Sequence, residues 1–177
     1  MTSFYRHILI LLLSFTLIST ISAQKYNNVV RPKIDRIVNK LQKDKCIHFG
    51  YAVGYSGKPE INNKYYKLYK KLKNKATNDE LLALTKNKSA TIVVYAFNIL
   101  HSRNYDGLKS VFLDHINDTL WFWTAGGCTG FVDRINWFML RRLRPVTDNN
   151  IKICLTKNEY DFYCSKFKNE DKKFECE

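Results

Sequence analysis

The sequence predicts a mostly α-helical domain: a short stack of helices, one irregular or strand-like apolar segment and a C-terminal helix. Three observations carry this. Apolar residues recur at i, i+3, i+4 and i+7 in segment after segment, the spacing that lines one face of a helix. Two Thr-x-x-Glu sequences, Thr77–Glu80 and Thr156–Glu159, have the capping-box pattern that opens a helix. The 177 residues are 45% hydrophobic and 14% aromatic, enough to pack one core and too much for a disordered polyelectrolyte.

The elements follow in order. Residues 1–23 read as a secretory signal peptide: Arg6 in a short polar start, an apolar run from Ile8 to Leu13 continuing through Ile18, then Ile21-Ser22-Ala23 at the cut. The run is shorter than the roughly 20 residues of a bilayer span, although an uncleaved anchor is the alternative. Cleavage after Ala23 leaves residues 24–177 as a single domain, secreted or periplasmic, with no transmembrane span. Ile34, Ile37, Val38 and Leu41 stripe a helix that starts just after Pro32. Cys46 to Tyr55 is apolar and glycine-broken, hence strand-like or irregular, and Gly54 to Pro59 is loop chemistry. Tyr65, Leu68, Tyr69 and Leu72 mark a second helix with lysines on its opposite side.

Beyond the first capping box, Leu81, Leu82 and Leu84 predict a short helix, Asn87-Lys88-Ser89 a turn, and Ile92, Tyr95, Ala96, Ile99 and Leu100 a longer helix with Arg103 in its last turn. Leu108, Val111, Phe112 and Ile116 predict a third. Short helices joined by tight turns must stack to bury their stripes. Leu120 to Thr124 is a continuous bulky run that leads through Ala125 to Gly130 into a helix at Ile135, Phe138 and Met139, ending near Arg141, Arg142 and Arg144. Tyr160, Tyr163, Cys164 and Phe167 trace the last helix, and residues 168–177 are a charged tail.

Residues 79–117 resemble the HEAT-like repeat, in which a short Leu-Leu helix, a polar turn and a longer Tyr-Ala-containing helix recur. With Gly54-Tyr55-Ser56-Gly57, Thr77-Asn78-Asp79-Glu80-Leu81, Tyr95-Ala96-Phe97, His115-Ile116-Asn117-Asp118-Thr119 and Gly127-Cys128, the chain resembles an uncharacterised family of small exported bacterial proteins. The resemblance implies a helical fold and carries no activity. Many HEAT repeats place an arginine just before the aromatic-Ala pair; here Val93 and Val94 stand there, so the usual polar contact between repeats is not implied.

The net charge of +13 is concentrated toward the N-terminus. Residues 24–75 hold fourteen Lys or Arg and three acids, against four and five in residues 76–130 and ten and eight in residues 131–177. Lys64, Lys67, Lys70, Lys71, Lys73 and Lys75 form a patch able to attract anionic lipid, cell-wall polymer or nucleic acid, although a wet helix face explains the same run. Export disfavours a nucleic-acid partner.

Five cysteines in an exported chain, Cys46, Cys128, Cys154, Cys164 and Cys176, are disulfide candidates, and an odd number leaves one over. The last three lie close enough for a local staple across the tail. Their gaps of nine and eleven residues do not match paired zinc ligands, His48 near Cys46 has no second pair, and neither metal nor cofactor is expected.

Gly126-Gly127-Cys128-Thr129-Gly130 fits a nucleophile elbow with cysteine as the nucleophile. Hydrolases of that type need a histidine later in the chain, yet the last is His115, so a hydrolase or transferase would have to pair Cys128 with His101 or His115. Against this, Cys128 suits a disulfide or an apolar glycine turn. His115 falls on the buried stripe seven residues after Leu108. Asp114 and Asp118 share a helix face at a spacing of four, and Asn87-Lys88-Ser89 and Asn117-Asp118-Thr119 match glycosylation acceptors. Trp121, Trp123 and Trp137 are assigned to the core, with an aromatic groove as the alternative. The leading expectation is a secreted or periplasmic binding domain that meets a protein or cell-envelope partner through the concave or edge face of its helices. The alternatives are Cys128 chemistry and polyanion association through the lysines.

Overall fold

The computed structural model describes residues 29–53, 58–126, 129–145, 155–171 and 175. Residues 1–23, expected to be a signal peptide, and Gly54 to Gly57, Cys128, Cys154 and Cys176 therefore lie outside the described residues. The protein is mostly α-helical with a small sheet, as the apolar periodicity requires. No described helix is long and apolar enough to cross a membrane.

Helix α1 (Pro32–Leu41) starts on its proline, whose missing N–H costs nothing at a helix start. It buries Ile34, Ile37, Val38 and Leu41, the whole expected stripe. Strand β1 (Cys46–Ile47) follows, then a short hairpin of β2 (Ala52–Val53) and β3 (Lys58–Pro59). At Gly50, φ is 81°, a left-handed conformation that favours glycine at the turn out of β1.

Asn63 caps helix α2 (Lys64–Lys75), its side-chain oxygen accepting from the backbone of Tyr65 and Tyr66. Thr77 and Glu80 form the capping box of α3 (Asn78–Thr85), and Thr156 and Glu159 form that of α7 (Lys157–Glu170). Between them run α4 (Ala90–Ser102), α5 (Leu108–Asp114), β4 (Trp121–Gly126), β5 (Thr129–Arg134) and α6 (Ile135–Arg142).

Helix α4 is the centre of the molecule. Its residues from Thr91 to Phe97 are all buried, because the sequence places no charge there, and a helix apolar all round has to be surrounded. It packs against α1, α3, α5, α6, β1 and β4. Phe49, Tyr69, Tyr95 and Phe138 interlock at ring separations of 5.0 to 6.0 Å, joining the β1 segment to α2, α4 and α6. The buried Tyr95 hydroxyl accepts from the His48 backbone N–H at 2.7 Å, and burial pushes the phenol's pKa up.

The sheet has the order β1-β4-β5, with β1 parallel and β5 antiparallel to β4. Here the structure departs from the expected passage of a strand-like run straight into a helix: a second strand comes first. Residues 129–134 pair with β4 from Thr129 opposite Gly126 to Arg134 opposite Trp121, and helix geometry starts only at Ile135. Phe131 and Val132 are strand formers, and backbone pairing with β4 outweighs continuation of the later helical stripe.

Three further corrections concern single elements. Helix α5 stops at Asp114, so Asp118 is not on its face and His115 is the residue that ends the helix, not a member of its buried stripe. Trp137 is buried, but Trp121 and Trp123 are half exposed, because side chains alternate across β4 and place Phe122, not its two tryptophan neighbours, on the inner face. The charged tail expected from residue 168 begins as helix: α7 runs through Glu170, and Arg134 holds Asp171 at 2.8 Å.

Candidate functional site

The lysine spacing, read on a helix, decides which cations act together. Lys64, Lys67, Lys71 and Lys75 fall at i, i+3, i+7 and i+11 and so share one face of α2. Lys33, Arg36 and Lys40 do the same on α1 at i, i+3 and i+7. The two faces meet along a groove. Lys40 lines its first part with Lys64, Lys67 and Lys71; Lys33 and Arg36 line its second part with Lys71 and Lys75. The start of one helix thus lies beside the end of the other, and the pair is antiparallel.

The two parts have volumes of 300 and 530 Å³ and share Lys40, Leu68 and Lys71. Leu68 and Ile37 contribute an apolar floor. At 1.5 Å per residue, the row from Lys64 to Lys75 is about 16 Å long. Among the described residues, seven cations and no carboxylate line it, and none of the seven has an ion pair there.

Like charges are pressed together at one end. The Lys33 ammonium, close beside that of Lys75, holds the Lys75 pKa below its ordinary range. Two of the lysines expected in the patch stand apart from the groove. Lys70 reaches back over the Tyr66 ring at 5.8 Å, and Lys73 is not among the lining residues.

Rigid anchors fix the two helices. Glu80, buried at the start of α3, accepts from the Arg31 backbone and guanidinium and from Thr77, which ties the start of α1 to the α2–α3 junction. Arg103, expected to complement the end of its own helix, instead donates to the carbonyls of Lys73 (2.5 Å) and Ala76 (2.9 Å) and to the Asn78 side chain (2.8 Å). It caps the C-terminal end of α2, where free carbonyls favour a cation.

Behind the start of α2, the buried His48 ring lies between two carboxylates, with Nδ1 2.8 Å from Glu60 Oε2 and Nε2 3.2 Å from Asp44 Oδ2, and it stacks on Tyr65. Sequence reading took His48 only as half of a metal pair. Its actual partners, four residues before and twelve after, belong to turns whose shape the sequence does not announce. No group of three His, Cys, Asp or Glu side chains among the described residues is arranged to hold a metal ion.

The histidines proposed for Cys128 serve separate surroundings. His101, near the end of α4, is hydrogen-bonded to the Arg142 backbone, and its pKa is lowered first by burial and then by the Arg142 charge. His115 Nδ1 pairs with Asp118 Oδ2 at 3.0 Å. The residues that follow the glycine motif enter a strand, not the helix that a nucleophile elbow requires. No family model and no curated protein matches the chain.

Proposed function

We propose that the chain is an exported binding domain whose contact surface is the groove between α1 and α2, and whose partner is a linear anionic polymer of the cell envelope. The observation that carries this reading is the pair of facing cation rows without a carboxylate among the lining residues. A groove about 16 Å long admits several successive anionic groups of one polymer. A row of like charges raises the local positive potential, and an anion that enters offsets their mutual repulsion.

Export after a cut at Ala23 is part of the proposal, as is the HEAT-like descent of the α3–α5 segment. A disulfide of the C-terminal cysteines is part of the proposal too, supported by the burial of Cys164 on the inner side of α7.

The test is calorimetric titration of residues 24–177 with long-chain polyphosphate and with polyglutamate, at low and at high salt. Binding to both polymers, weakening steeply as salt rises, is the expected result. The Lys33→Glu/Lys75→Glu variant should lose at least tenfold in affinity, while Lys86→Glu/Lys88→Glu, with the same charge change on an exposed turn, should lose far less. Equal losses in the two variants would reduce the groove to part of a diffuse positive field and overturn the assignment.

A further inference from the structure

On another part of the molecule, between β5, the start of β2 and helix α6, lies a pocket of about 390 Å³. Its floor is aromatic, with Phe49 and Phe138 stacked at 6.0 Å. Across this floor lies the Arg142 guanidinium, 5.2 Å from the Phe138 centroid and 5.9 Å from that of Phe49. Arg142 Nη2 donates to the Tyr51 hydroxyl at 3.0 Å.

The pocket holds a second arginine, and the two differ in one respect. Arg141 is paired with Asp133, whereas Arg142 has no ion pair among the described residues. A planar cation with five N–H donors, stacked on apolar rings and short of an anion, is a receptor for a carboxylate. The wall beside it carries the Phe131 ring of β5, which is 58% exposed and gains by being covered. Glu175 also lines the pocket. The volume sits at the low end of the range for small-molecule sites, about 300–1,000 Å³, which fits a single ring with a short acidic arm and not a polymer.

We propose that this pocket binds a small aromatic carboxylate, its ring packed between the Phe49/Phe138 floor and the Phe131 wall and its carboxylate on Arg142. The site is independent of the α1–α2 groove and takes a different class of ligand.

His101 provides a built-in reporter. The Arg142 charge contributes to holding its pKa down, so a carboxylate that neutralises Arg142 lets that pKa rise.

The experiment titrates residues 24–177 with phenylacetate, phenylacetamide and acetate, following heat and the His101 ring resonances. Phenylacetate should bind saturably, at least tenfold more tightly than either the neutral amide or the ringless acid, and should raise the His101 pKa. Arg142→Gln should abolish the preference for acid over amide. Because Arg142 also packs on core rings, Phe131→Ser at the exposed wall is the second variant, expected to weaken phenylacetate several-fold with the fold intact. Lys33→Glu should leave phenylacetate affinity within twofold, which separates this site from the groove. Equal affinity for acid and amide, no saturable binding, or an affinity unchanged in Phe131→Ser would overturn the proposal.

Discussion

Arg31 and Glu80, forty-nine residues apart, are joined by a three-point fork: Glu80 Oε1 accepts from the Arg31 backbone N–H at 3.0 Å and from Nε at 2.8 Å, and Oε2 accepts from Nη2 at 2.8 Å. The same Oε2 accepts from the Thr77 N–H at 2.8 Å. One buried carboxylate therefore closes the capping box of α3 and fixes the start of α1. Its pKa is held down to about 2, first by the Arg31 hydrogen bonds.

A depressed carboxylate stabilises the fold above the unfolded-state pKa, and that stability is lost as pH falls through the folded one. Stability should thus drop between about pH 4.5 and 2. Glu80→Gln should remove this acid-sensitive component and cost about 1–3 kcal/mol at neutral pH, a discounted figure because Arg31 is half exposed. Denaturant unfolding of both proteins from pH 2 to 7 measures it. An acid branch unchanged in the variant would place the pH dependence elsewhere.

Removing Lys33 tests the like-charge contact in the groove. In Lys33→Met, the Lys75 pKa should move up toward its ordinary value, and saturation of the native protein with polyphosphate should move it the same way. A pH titration of the Lys75 Cε resonance reads both. If Lys75 titrates identically in the two proteins, the side chains do not meet in solution.

Arg103→Ala should strip three hydrogen bonds from the α2–α3 junction and destabilise the protein by about 1–3 kcal/mol. Hydrogen exchange should speed up most at the end of α2. Lysine at this position should restore only part of the loss, since it lacks the planar fork that reaches separate acceptors.

His48→Ala should leave the carboxylates of Asp44 and Glu60 without their shared partner and destabilise by about 2–4 kcal/mol. Combining it with Glu60→Gln should cost less than the sum of the two single changes, because the second change removes a carboxylate the first had orphaned. Additive losses in a double-mutant cycle would show that the ring does not couple the two turns.

The tryptophans should separate by position. Trp137→Ala should cost about 3–5 kcal/mol, as for a large buried ring, while Trp123→Ser should stay within about 0.5 kcal/mol of wild type. Thermal unfolding of both variants decides this.

The helices were legible because their signals are local. The stripe at Ile34, Ile37, Val38 and Leu41, the two capping boxes and the uncharged run of α4 each depend on residues within a turn or two of one another. The hairpin was only half legible: Trp121 to Thr124 reads as a strand, but Thr129 to Arg134 becomes one through pairing with β4, and the same pairing turns Trp121 and Trp123 outward. The lysine run was visible as a patch, yet its division into groove and bystanders depends on α1, whose Lys33, Arg36 and Lys40 lie outside that run.

What the sequence by itself determined is the class of fold, the helix starts and the concentration of positive charge, since periodicity, capping and composition act over a few residues. Only the tertiary structure decided that Arg103 caps a helix other than its own, that Arg142 lies across a floor of Phe49 and Phe138, and that two cationic faces meet. Each of these joins residues tens of positions apart, and the packing of apolar stripes around α4 selects which distant faces are brought together.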